Sequence, residues 1–337
     1  MDINKLKKDM IEEGYDKKYI DLCVNYAKNL KNKNLPIVFD INHLYRLIGL
    51  DTLEFYKIYN SINFQYKTIN IPKKRGGYRE INVPSENLKF IQRWILDNIL
   101  YRVECNENIT GFIPNKSIVD NAKAHVSKEC IIGIDIKDFF PTIHFGRVRG
   151  LFKSLGYSNH VSTVLANICT FKGKLPQGAP TSPYIYNIIC KGLDYRIQKL
   201  CDKSNSVYTR YADDITISGK RGIETIIPII NTIIKDEGFN TNKKKERVLY
   251  KYHSQRVTGI VVNEKLSPPK HIIKYIRQNI YYIQKFGLKE HLSKTNNKFR
   301  SNYKEHLYGI AYFIKMIDQE KGIKYLQQLD TIDWDIW

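Results

Sequence analysis

The stretch IIGIDIKDFF, from Ile131 to Phe140, decides the fold. Its first part, Ile131 to Ile136, is apolar apart from Asp135 and predicts a short buried strand. From this strand to residue 262 the pattern is strand, helix, two strands, helix and strand, with a helical insertion over 143–170. That succession is typical of the split β-α-β arrangement of ferredoxin-like sheets, so the predicted fold class is α+β.

The other elements of this region are predicted from proline placement, apolar periodicity and strand-like runs. They are a helix from Thr181-Ser182-Pro183 with Ile185, Ile189, Leu193, Ile197 and Leu200 on one face, a hairpin of Val207 to Tyr211 with Ile215 to Ser218, an apolar helix over 222–236 despite the interior Pro228, and a last strand from Val257 to Val262.

Two adjacent carboxylates, Asp213 and Asp214, fall at the tip of the predicted hairpin. Acidic residues in a turn are usually only solvated. Here the strand that carries Asp135 is predicted beside the hairpin, so carboxylates from neighbouring strand ends would converge. Hard oxygen donors in this arrangement suit Mg²⁺, which takes one or two carboxylates together with waters and substrate phosphates. Two such ions, roughly 3.5 to 4 Å apart, would stabilise the attacking and leaving oxygens of an in-line phosphoryl displacement.

The residues before this region predict helices followed by a hairpin. Residues 1–50 show helical spacing of apolar side chains, and residues 65–83 alternate as two strands around a turn at 73–77. Ser85 is then predicted to cap a helix, with Glu86 in the first turn, where the helix dipole favours a negative charge. The apolar face of that helix consists of Leu88, Ile91, Ile95 and Ile99.

The chain from Leu266 onward predicts a basic helical module. Between Lys270 and Lys304 there are nine Lys or Arg residues against the single Glu290. Such a module can pack on one side and bind a polyanion on the other, although a basic face that is merely solvated is the alternative. The apolar stripe consists of Ile273, Ile276, Ile280 and Ile283, and the basic stripe of Lys270, Lys274 and Arg277.

Length and composition limit the classes of protein. The 337 residues correspond to about two domain-sized units with enough apolar content for a sizeable core. Lys and Arg exceed Asp and Glu by 54 − 34 = 20, and 24 Tyr and 14 Phe accompany that charge, which favours nucleic acid as a partner. The first ten residues lack a secretory signal and no apolar run approaches 18 residues, so we expect a cytoplasmic protein without membrane attachment. Six scattered cysteines without a C-x-x-C pair predict neither a zinc site nor disulfides.

Three motifs, in order along the chain, resemble the palm motifs A, B and C of reverse transcriptases. Two further stretches resemble the fingers motif that grips the incoming triphosphate and motif D of the same enzymes. The resemblance covers about residues 65–265. The palm motifs are Ile134 to Pro141 (IDIKDFFP), Leu175 to Pro183 (LPQGAPTSP) and Tyr211 to Asp214 (YADD), the fingers motif is Lys73-Lys74-Arg75 with Arg79, and motif D runs from Gly238 to Lys245.

This resemblance implies an RNA-directed DNA polymerase with two-metal nucleotidyl transfer. The implied architecture is a right-hand polymerase fold with fingers, a ferredoxin-like palm and a helical thumb. The predicted domains are a helical N-terminal extension over 1–50, fingers with part of the palm over 51–130, the palm over 131–265 with the insertion 143–170, and a helical basic thumb over 266–337.

The resemblance also implies a catalytic set that holds two Mg²⁺ ions. Lys245 would protonate the pyrophosphate. At this motif the sequence departs from the family, because Glu246 follows that lysine in place of the usual threonine, and Lys243 and Lys244 compete for the same role. The implied catalytic and metal-binding residues are Asp135, Asp213, Asp214, Lys245 and the backbone carbonyl of Ile136.

The implied nucleotide-binding residues come from the fingers hairpin and from motifs A and B. The lysines and the arginine among them would contact phosphates, and Gly178 would let the backbone approach the nucleotide closely. Phe140 matches the ring that blocks a ribose 2′-hydroxyl and so selects deoxynucleotides, with ordinary core packing beside Phe139 as the alternative. The full set is Lys73, Lys74, Arg79, Asp138, Phe139, Phe140, Gln177 and Gly178.

Two short signatures resemble those of bacterial retron reverse transcriptases. The sequence NAKAH, from Asn121 to His125, resembles their NAxxH element, and Val257-Thr258-Gly259 resembles their VTG triplet. The alternatives are a helical face with a locally hydrogen-bonded histidine and a plain strand-edge Thr-Gly. Together with the basic stripe, the predicted RNA-binding residues are Asn121, His125, Val257, Thr258, Gly259, Lys270, Lys274 and Arg277.

The retron resemblance implies an enzyme that binds its own structured noncoding RNA as template and primer. Synthesis from dNTPs would start at the 2′-hydroxyl of an internal guanosine and leave a branched RNA-DNA hybrid, called msDNA. An effector protein encoded nearby would be its partner in defence against phage. Two alternatives remain open: a stand-alone defence or group II intron-like reverse transcriptase, which makes no branched product, and an RNA-binding scaffold without polymerase activity.

Overall fold

The structure is a computed structural model that describes residues 2–73, 76–295 and 302–334. Its α-helices are α1 (Ile3–Glu12), α2 (Lys17–Asn32), α3 (Ile41–Ile48), α4 (Thr52–Asn60), α5 (Glu86–Asn98), α6 (Ile118–Lys123), α7 (Phe145–Leu155), α8 (Asn159–Cys169), α9 (Ser182–Ile189), α10 (Lys191–Lys203), α11 (Ile227–Asp236), α12 (Lys270–Phe286), α13 (Leu288–Ser293), α14 (Tyr303–Ile317) and α15 (Gln319–Asp330). Its strands are β1 (Tyr66–Pro72), β2 (Tyr78–Pro84), β3 (Cys130–Asp135), β4 (Val207–Tyr211), β5 (Asp214–Gly219), β6 (Arg247–Tyr250), β7 (Arg256–Val257) and β8 (Ile260–Val261).

Four of the strands form an antiparallel sheet in the order β4-β5-β3-β6. The succession along the chain, with α7 and α8 as the helical insertion, is the predicted split β-α-β arrangement, so the α+β class and the ferredoxin-like topology are confirmed. All six residues of β3 are buried, which explains why its sequence is a nearly continuous apolar run.

The last strand of this sheet is not the predicted one. The fourth strand is β6, which pairs with Cys130 to Gly133 of β3, whereas the predicted strand from Val257 to Val262 is wrong. Thr258 and Gly259 have φ angles of +47° and +86°, so the chain reverses there and forms the small hairpin of β7 and β8. A left-handed pair of residues is what a tight two-residue turn requires.

Two predicted helices also differ from the structure. The helix that begins at Ser182-Pro183 is interrupted at Cys190, so α9 and α10 replace one long helix. Over 222–236 a short 3₁₀ turn, Ile223–Ile226, precedes α11, and Pro228 is the second residue of that α-helix rather than an interior one. Proline costs little there because the first turn of a helix has no acceptor for its N–H.

The elements before the sheet agree with the sequence. Helices α1 to α3 cover the predicted helical region, and β1 and β2 pair in antiparallel register from Tyr66 opposite Pro84 to Pro72 opposite Tyr78. Ser85 caps α5, because its hydroxyl accepts a hydrogen bond from the N–H of Leu88. The predicted apolar face of this helix, Leu88, Ile91, Ile95 and Ile99, is buried.

The C-terminal helices α12 to α15 share one apolar core. Ile276, Ile280 and Ile283 of α12 are buried in it. Burial of each of these side chains stabilises the fold by roughly 2 kcal/mol through the hydrophobic effect. Lys270, Lys274 and Arg277 are exposed on the same helix. The two stripes predicted from the sequence therefore face different environments.

The chain divides into two compact units that are each discontinuous in sequence. One consists of residues 1–107, 136–196 and 230–241, and the other of residues 108–135, 197–229 and 242–337. The four strands of the sheet and the C-terminal helices belong to the second unit. The predicted domain boundaries, which are contiguous in sequence, stay a prediction. Within the described ranges, none of the helices combines the length and the apolarity needed to cross a bilayer.

Candidate active site

Strands β3 and β5 bring two of the predicted carboxylates to the same place. Asp135, the last residue of β3, is directly opposite Asp214, the first residue of β5. Directly opposed residues of an antiparallel pair project from the same face of the sheet, with Cβ atoms roughly 4.5 to 5.5 Å apart. The strand register therefore places two carboxylates side by side at one end of the sheet.

The third carboxylate, Asp213, belongs to the two-residue turn between β4 and β5. Ala212, the first residue of that turn, has a φ of +55°, and Asp213 does not have a positive φ, which is the pattern of a type II′ turn. Arg210 supports this turn from inside the protein. Its guanidinium is completely buried and donates a hydrogen bond of 3.1 Å to the carbonyl of Ala212.

A second turn places a lysine against the carboxylate of β3. The N–H of Asn242 donates to the carbonyl of Asp135 at 2.8 Å, and the N–H of Lys245 donates to the carbonyl of Asn242 at 2.9 Å. The turn brings the ammonium of Lys245 within 2.7 Å of Oδ2 of Asp135. Among the three consecutive lysines, Lys245 is thus the one that reaches the carboxylates.

The electrostatics of this end of the sheet favour a bound cation. Burial and the negative charges of Asp214 and Asp135 raise the pKa of Asp213 to about 6. Burial and Asp135 also raise the pKa of Asp214, while the positive charges of Arg247 and Lys245 oppose that shift. Carboxylates that repel one another in a partly buried position gain stability from a cation between them.

The residues present fit Mg²⁺ in one particular way. Within the described residues, no cluster of three or more His, Cys, Asp or Glu side chains forms a ready-made metal site. A site with few protein ligands suits Mg²⁺, which keeps several waters and takes one or two carboxylates together with substrate phosphates. Asp135, Asp213 and Asp214 would supply those protein oxygens. The neighbouring Ile136 is buried and forms an isolated bridge with Thr241.

The predicted motif B loop is hydrogen-bonded to the hairpin of β1 and β2. The N–H of Asn82 in β2 donates to the carbonyl of Gln177 at 2.7 Å. The adjacent Gly178 has a φ of +132°, and a Cβ there would lie 2.6 Å from the carbonyl oxygen of Asn82. Only glycine fits this position without shifting the backbone, which gives a structural reason for glycine in the motif.

The aromatic residues of motif A form a cluster with Tyr186. The ring centroids of Phe139 and Phe140 are 4.0 Å apart, and Tyr186 lies edge-on to both. Phe140 is only 6% exposed. Asp138 is exposed and has an unusual φ of +46°. The role of Phe140 in selecting deoxynucleotides stays a prediction. Its burial also fits the alternative, an ordinary core residue.

The predicted phosphate contacts lie on the β1-β2 hairpin. Lys73 and Arg79 are exposed on it, whereas Lys74 lies outside the described residues. These residues, motif B and the aromatic cluster belong to the first compact unit, and the three carboxylates and Lys245 belong to the second.

Three of the predicted RNA-binding residues are buried. Asn121, His125 and Val257 have no accessible surface. His125 is hydrogen-bonded on both ring nitrogens, to Ser218 at 2.6 Å and to Thr209 at 2.7 Å, and Asn121 accepts a hydrogen bond from Thr110. In this structure these side chains support the sheet and have no surface to present to RNA.

The other predicted RNA-binding residues are accessible. Gly259 is exposed and Thr258 is partly exposed at the turn between β7 and β8. The hydroxyl of Thr258 donates to the carbonyl of Ile118 in α6 at 2.9 Å, so the two retron-like signatures meet in space. Their RNA-binding role stays a prediction.

Sequence reasoning missed two arginines near the carboxylates. Arg210 supports the turn of Asp213, and it directly precedes motif C, which was the available signal. Arg247 of β6 lies across Gly133 of β3, where a Cβ would be 2.6 Å from its Nε, and its charge acts on Asp214. Arg247 lies on β6, and the predicted fourth strand was residues 257–262 instead, so its position could not be predicted.

A family model and two curated relatives agree on one family. The family model described as reverse transcriptase (RNA-dependent DNA polymerase) matches residues 71–326. The Retron Ec86 reverse transcriptase of Escherichia coli is 35% identical over 89% of this chain and 92% of its own length. The Retron Mx162 reverse transcriptase of Myxococcus xanthus is 34% identical over 80% of this chain, which spans 61% of that relative. A solved structure of telomerase from Candida tropicalis with a fragment of telomeric RNA has a TM-score of 0.47 and 13% identity, over 80% of this chain and 55% of the telomerase chain.

Proposed function

Since the chain belongs to the reverse transcriptase family and, within it, to the retron reverse transcriptases, we propose that it copies its own structured noncoding RNA into a branched RNA-DNA hybrid. The family membership gives the coarser part of this statement, an RNA-directed DNA polymerase with a right-hand fold. The priming from an internal guanosine 2′-hydroxyl, the msDNA product and a role in anti-phage defence are the proposed part.

The observation that carries the proposal is the proximity of Asp135, Asp214 and Lys245 at one end of the sheet, with Asp213 close enough for the neighbouring carboxylates to raise its pKa. A catalytically inactive scaffold would have no need to keep three mutually repelling carboxylates together, because the repulsion destabilises the fold. An RNA-directed polymerase needs them to hold cations where a phosphoryl group is transferred. The intact set therefore favours an active enzyme over the scaffold alternative.

Each of the predicted site residues has a separate proposed role in nucleotide transfer. The three aspartates would bind two Mg²⁺ ions, which when present stabilise the attacking and leaving oxygens. Lys245, already an ammonium beside Asp135, would give a proton to the leaving pyrophosphate. Arg79 and Lys73 would bind the triphosphate, and Phe140 would exclude a ribose 2′-hydroxyl.

The first experiment is to express the protein with its flanking genomic region and to sequence the nucleic acid that copurifies, before and after RNase and debranching treatment. A variant with Asp213→Asn and Asp214→Asn is the matched control, because asparagine keeps the size of the side chains and removes their charges. We expect a discrete DNA joined to RNA through a 2′-5′ branch from the parent protein, and RNA alone from the variant.

Two other results would change the proposal. DNA without a branch would favour a stand-alone or group II intron-like reverse transcriptase. RNA alone from both proteins would favour the RNA-binding scaffold. A toxic or effector protein encoded nearby remains the proposed partner, and the same preparation would show whether a second protein copurifies.

A further inference from the structure

An exposed stack of rings lies at the end of the sheet away from the carboxylates. Tyr250 ends β6, and its ring stacks on Tyr252 with centroids 5.7 Å apart at 22°. Tyr252 in turn packs on His253 at 4.4 Å. Tyr252 is 75% exposed, so most of its ring is accessible to a ligand. We call Tyr250, Tyr252 and His253 the ring stack.

The ring stack is held in a fixed shape. The N–H of Tyr250 donates to Nδ1 of His253 at 3.2 Å, and the N–H of His253 donates to the carbonyl of Tyr250 at 2.8 Å. The side-chain amide of Asn263 donates to the carbonyls of Lys251 and His253. Because these bonds already order the loop, a ligand that stacks on the rings would lose little conformational entropy from the protein.

The charge around the ring stack is positive. The guanidinium of Arg221 lies 5.4 Å from the centre of the Tyr250 ring. Lys220, which precedes Arg221, and Lys251 and Arg256, which flank Tyr252 and His253 in sequence, are exposed. Two carboxylates next to Tyr250 and Arg221 have hydrogen bonds of their own. Glu224 accepts from the hydroxyl of Tyr250 and the N–H of Gly222, and Glu129 accepts from the N–H of Arg221.

The ring stack is separate from the catalytic carboxylates. Tyr250 pairs with Cys130, the first residue of β3, and Asp135 is the last residue of that strand. Five residue steps along a strand span roughly 17 Å, since each step rises about 3.3 Å. A nucleotide at the carboxylates would therefore not contact the ring stack, whereas a longer RNA could bind both.

We propose that the ring stack is a binding site for unpaired bases of RNA, with Arg221 and Lys251 contacting the adjoining phosphates. Exposed aromatic rings flanked by cations are the combination that binds single strands, because every base has a stacking face and every linkage has a charge. This inference rests on the proposed function only in naming the RNA; the surface itself is independent of the carboxylates.

The test is photo-crosslinking of the full chain to a single-stranded RNA of about ten nucleotides that contains 4-thiouridine. Cleavage by trypsin after Lys251 and Arg256 releases a peptide from Tyr252 to Arg256, which reports directly on this site. We expect a crosslink in this peptide and at least a tenfold lower yield with Tyr252→Leu, which keeps the peptide and its apolar bulk. Tyr252→Phe should retain the crosslink. Tyr195→Ala, which removes another exposed tyrosine, should leave the yield unchanged.

Three results would overturn the inference: a parent protein without the crosslink, a yield that Tyr252→Leu leaves unchanged, or equal yield with a blunt RNA duplex. If RNA fails to bind while the variants lose a copurifying protein, the surface binds a protein instead. Primer extension on poly(rA) with oligo(dT) separates this inference from the proposed function. The ring-stack variants should extend that primer within twofold of the parent rate, and failure of the parent to extend it would count against the polymerase alone.

Discussion

Lys245 is the residue that we propose as the proton donor, and its ammonium is 2.7 Å from Oδ2 of Asp135. We predict that Lys245→Gln lowers the rate of nucleotide incorporation by about 10²- to 10⁴-fold, the usual contribution of a positioned general acid. The rate is measured on a supplied primer and template at saturating dNTP. Lys244→Gln is the matched control, since this exposed neighbour should affect the rate less than twofold. Equal losses in both variants would show that Lys245 has no special role.

We predict that the buried His125 makes the stability of the protein depend on pH. Burial lowers the pKa of this histidine to about 3, whereas a histidine in the unfolded chain titrates near 6.5. The unfolded state therefore binds a proton below pH 6.5 that the folded state does not, so the free energy of unfolding is fully present above pH 6.5 and falls as the pH drops. The loss from this one group should be about 2 kcal/mol between pH 6.5 and pH 5.

The measurement is urea-induced unfolding at several pH values for the parent and for His125→Gln. Glutamine does not titrate, so this variant should lack that part of the decrease even though it is less stable at pH 7. The exposed His160→Gln is the control and should keep the parent pH dependence. If His125→Gln keeps it as well, the buried histidine is not the cause.

The position of a single residue could be predicted when it depends on neighbours in sequence, and could not when it depends on contacts with distant segments. The three aspartates could be predicted because each sits in a short motif whose strand or turn is also local. The family resemblance indicated Lys245, but the residues alone did not distinguish it from Lys243 and Lys244, because its position depends on the hydrogen bond between Asn242 and Asp135, residues far apart in sequence. The burial of Asn121 and His125 likewise depends on Thr110, Thr209 and Ser218, which no local pattern connects to them.

At the scale of elements, the hairpin of β7 and β8 carries backbone strain at its turn. Thr258 is β-branched and has a φ of +47°, a conformation that costs such a residue about 1 to 2 kcal/mol. We predict that Thr258→Asn raises the free energy of unfolding by up to about 1 kcal/mol, since asparagine tolerates this conformation. Chemical denaturation measures it. Gly259→Ala at φ +86° is the opposite change and should lower the free energy of unfolding by about as much. A destabilised Thr258→Asn would mean that the hydroxyl bond to Ile118 outweighs the strain.

Two elements differ from the prediction because a local feature of the backbone interrupts a continuous apolar pattern. The apolar pattern continues across the break at Cys190 between α9 and α10, so apolar periodicity does not reveal this break. The run of Val257 to Val262 is as strand-like as β6, and only the turn at Thr258 and Gly259 prevents it from joining the sheet. The elements with a clear cap or a confined apolar run, such as α5 and β3, were predicted within one or two residues.

At the scale of the whole molecule, composition predicted a nucleic-acid partner but could not place its surface. Positive side chains occur in many segments, although their excess is largest between Lys270 and Lys304, and each compact unit is assembled from separate segments. Helix periodicity did locate one basic face on α12, because the helix that carries it is continuous. The residues of the ring stack are neighbours in sequence, but the position of Arg221 over the Tyr250 ring depends on contacts between distant segments that no local pattern predicts.

The basic face of α12 predicts how RNA binding responds to salt. Each lysine or arginine that neutralises a phosphate contributes about 0.7 to 0.9 to the slope of log K against log salt. Replacing Lys270, Lys274 and Arg277 by glutamine should therefore reduce that slope by about 2 to 3, measured by fluorescence anisotropy with the copurified RNA. The matched control replaces Lys304, Lys315 and Lys324, exposed residues of α14 and α15, which changes the net charge equally. Equal slopes in both triple variants would mean that RNA responds to total charge and that α12 has no dedicated RNA-binding face.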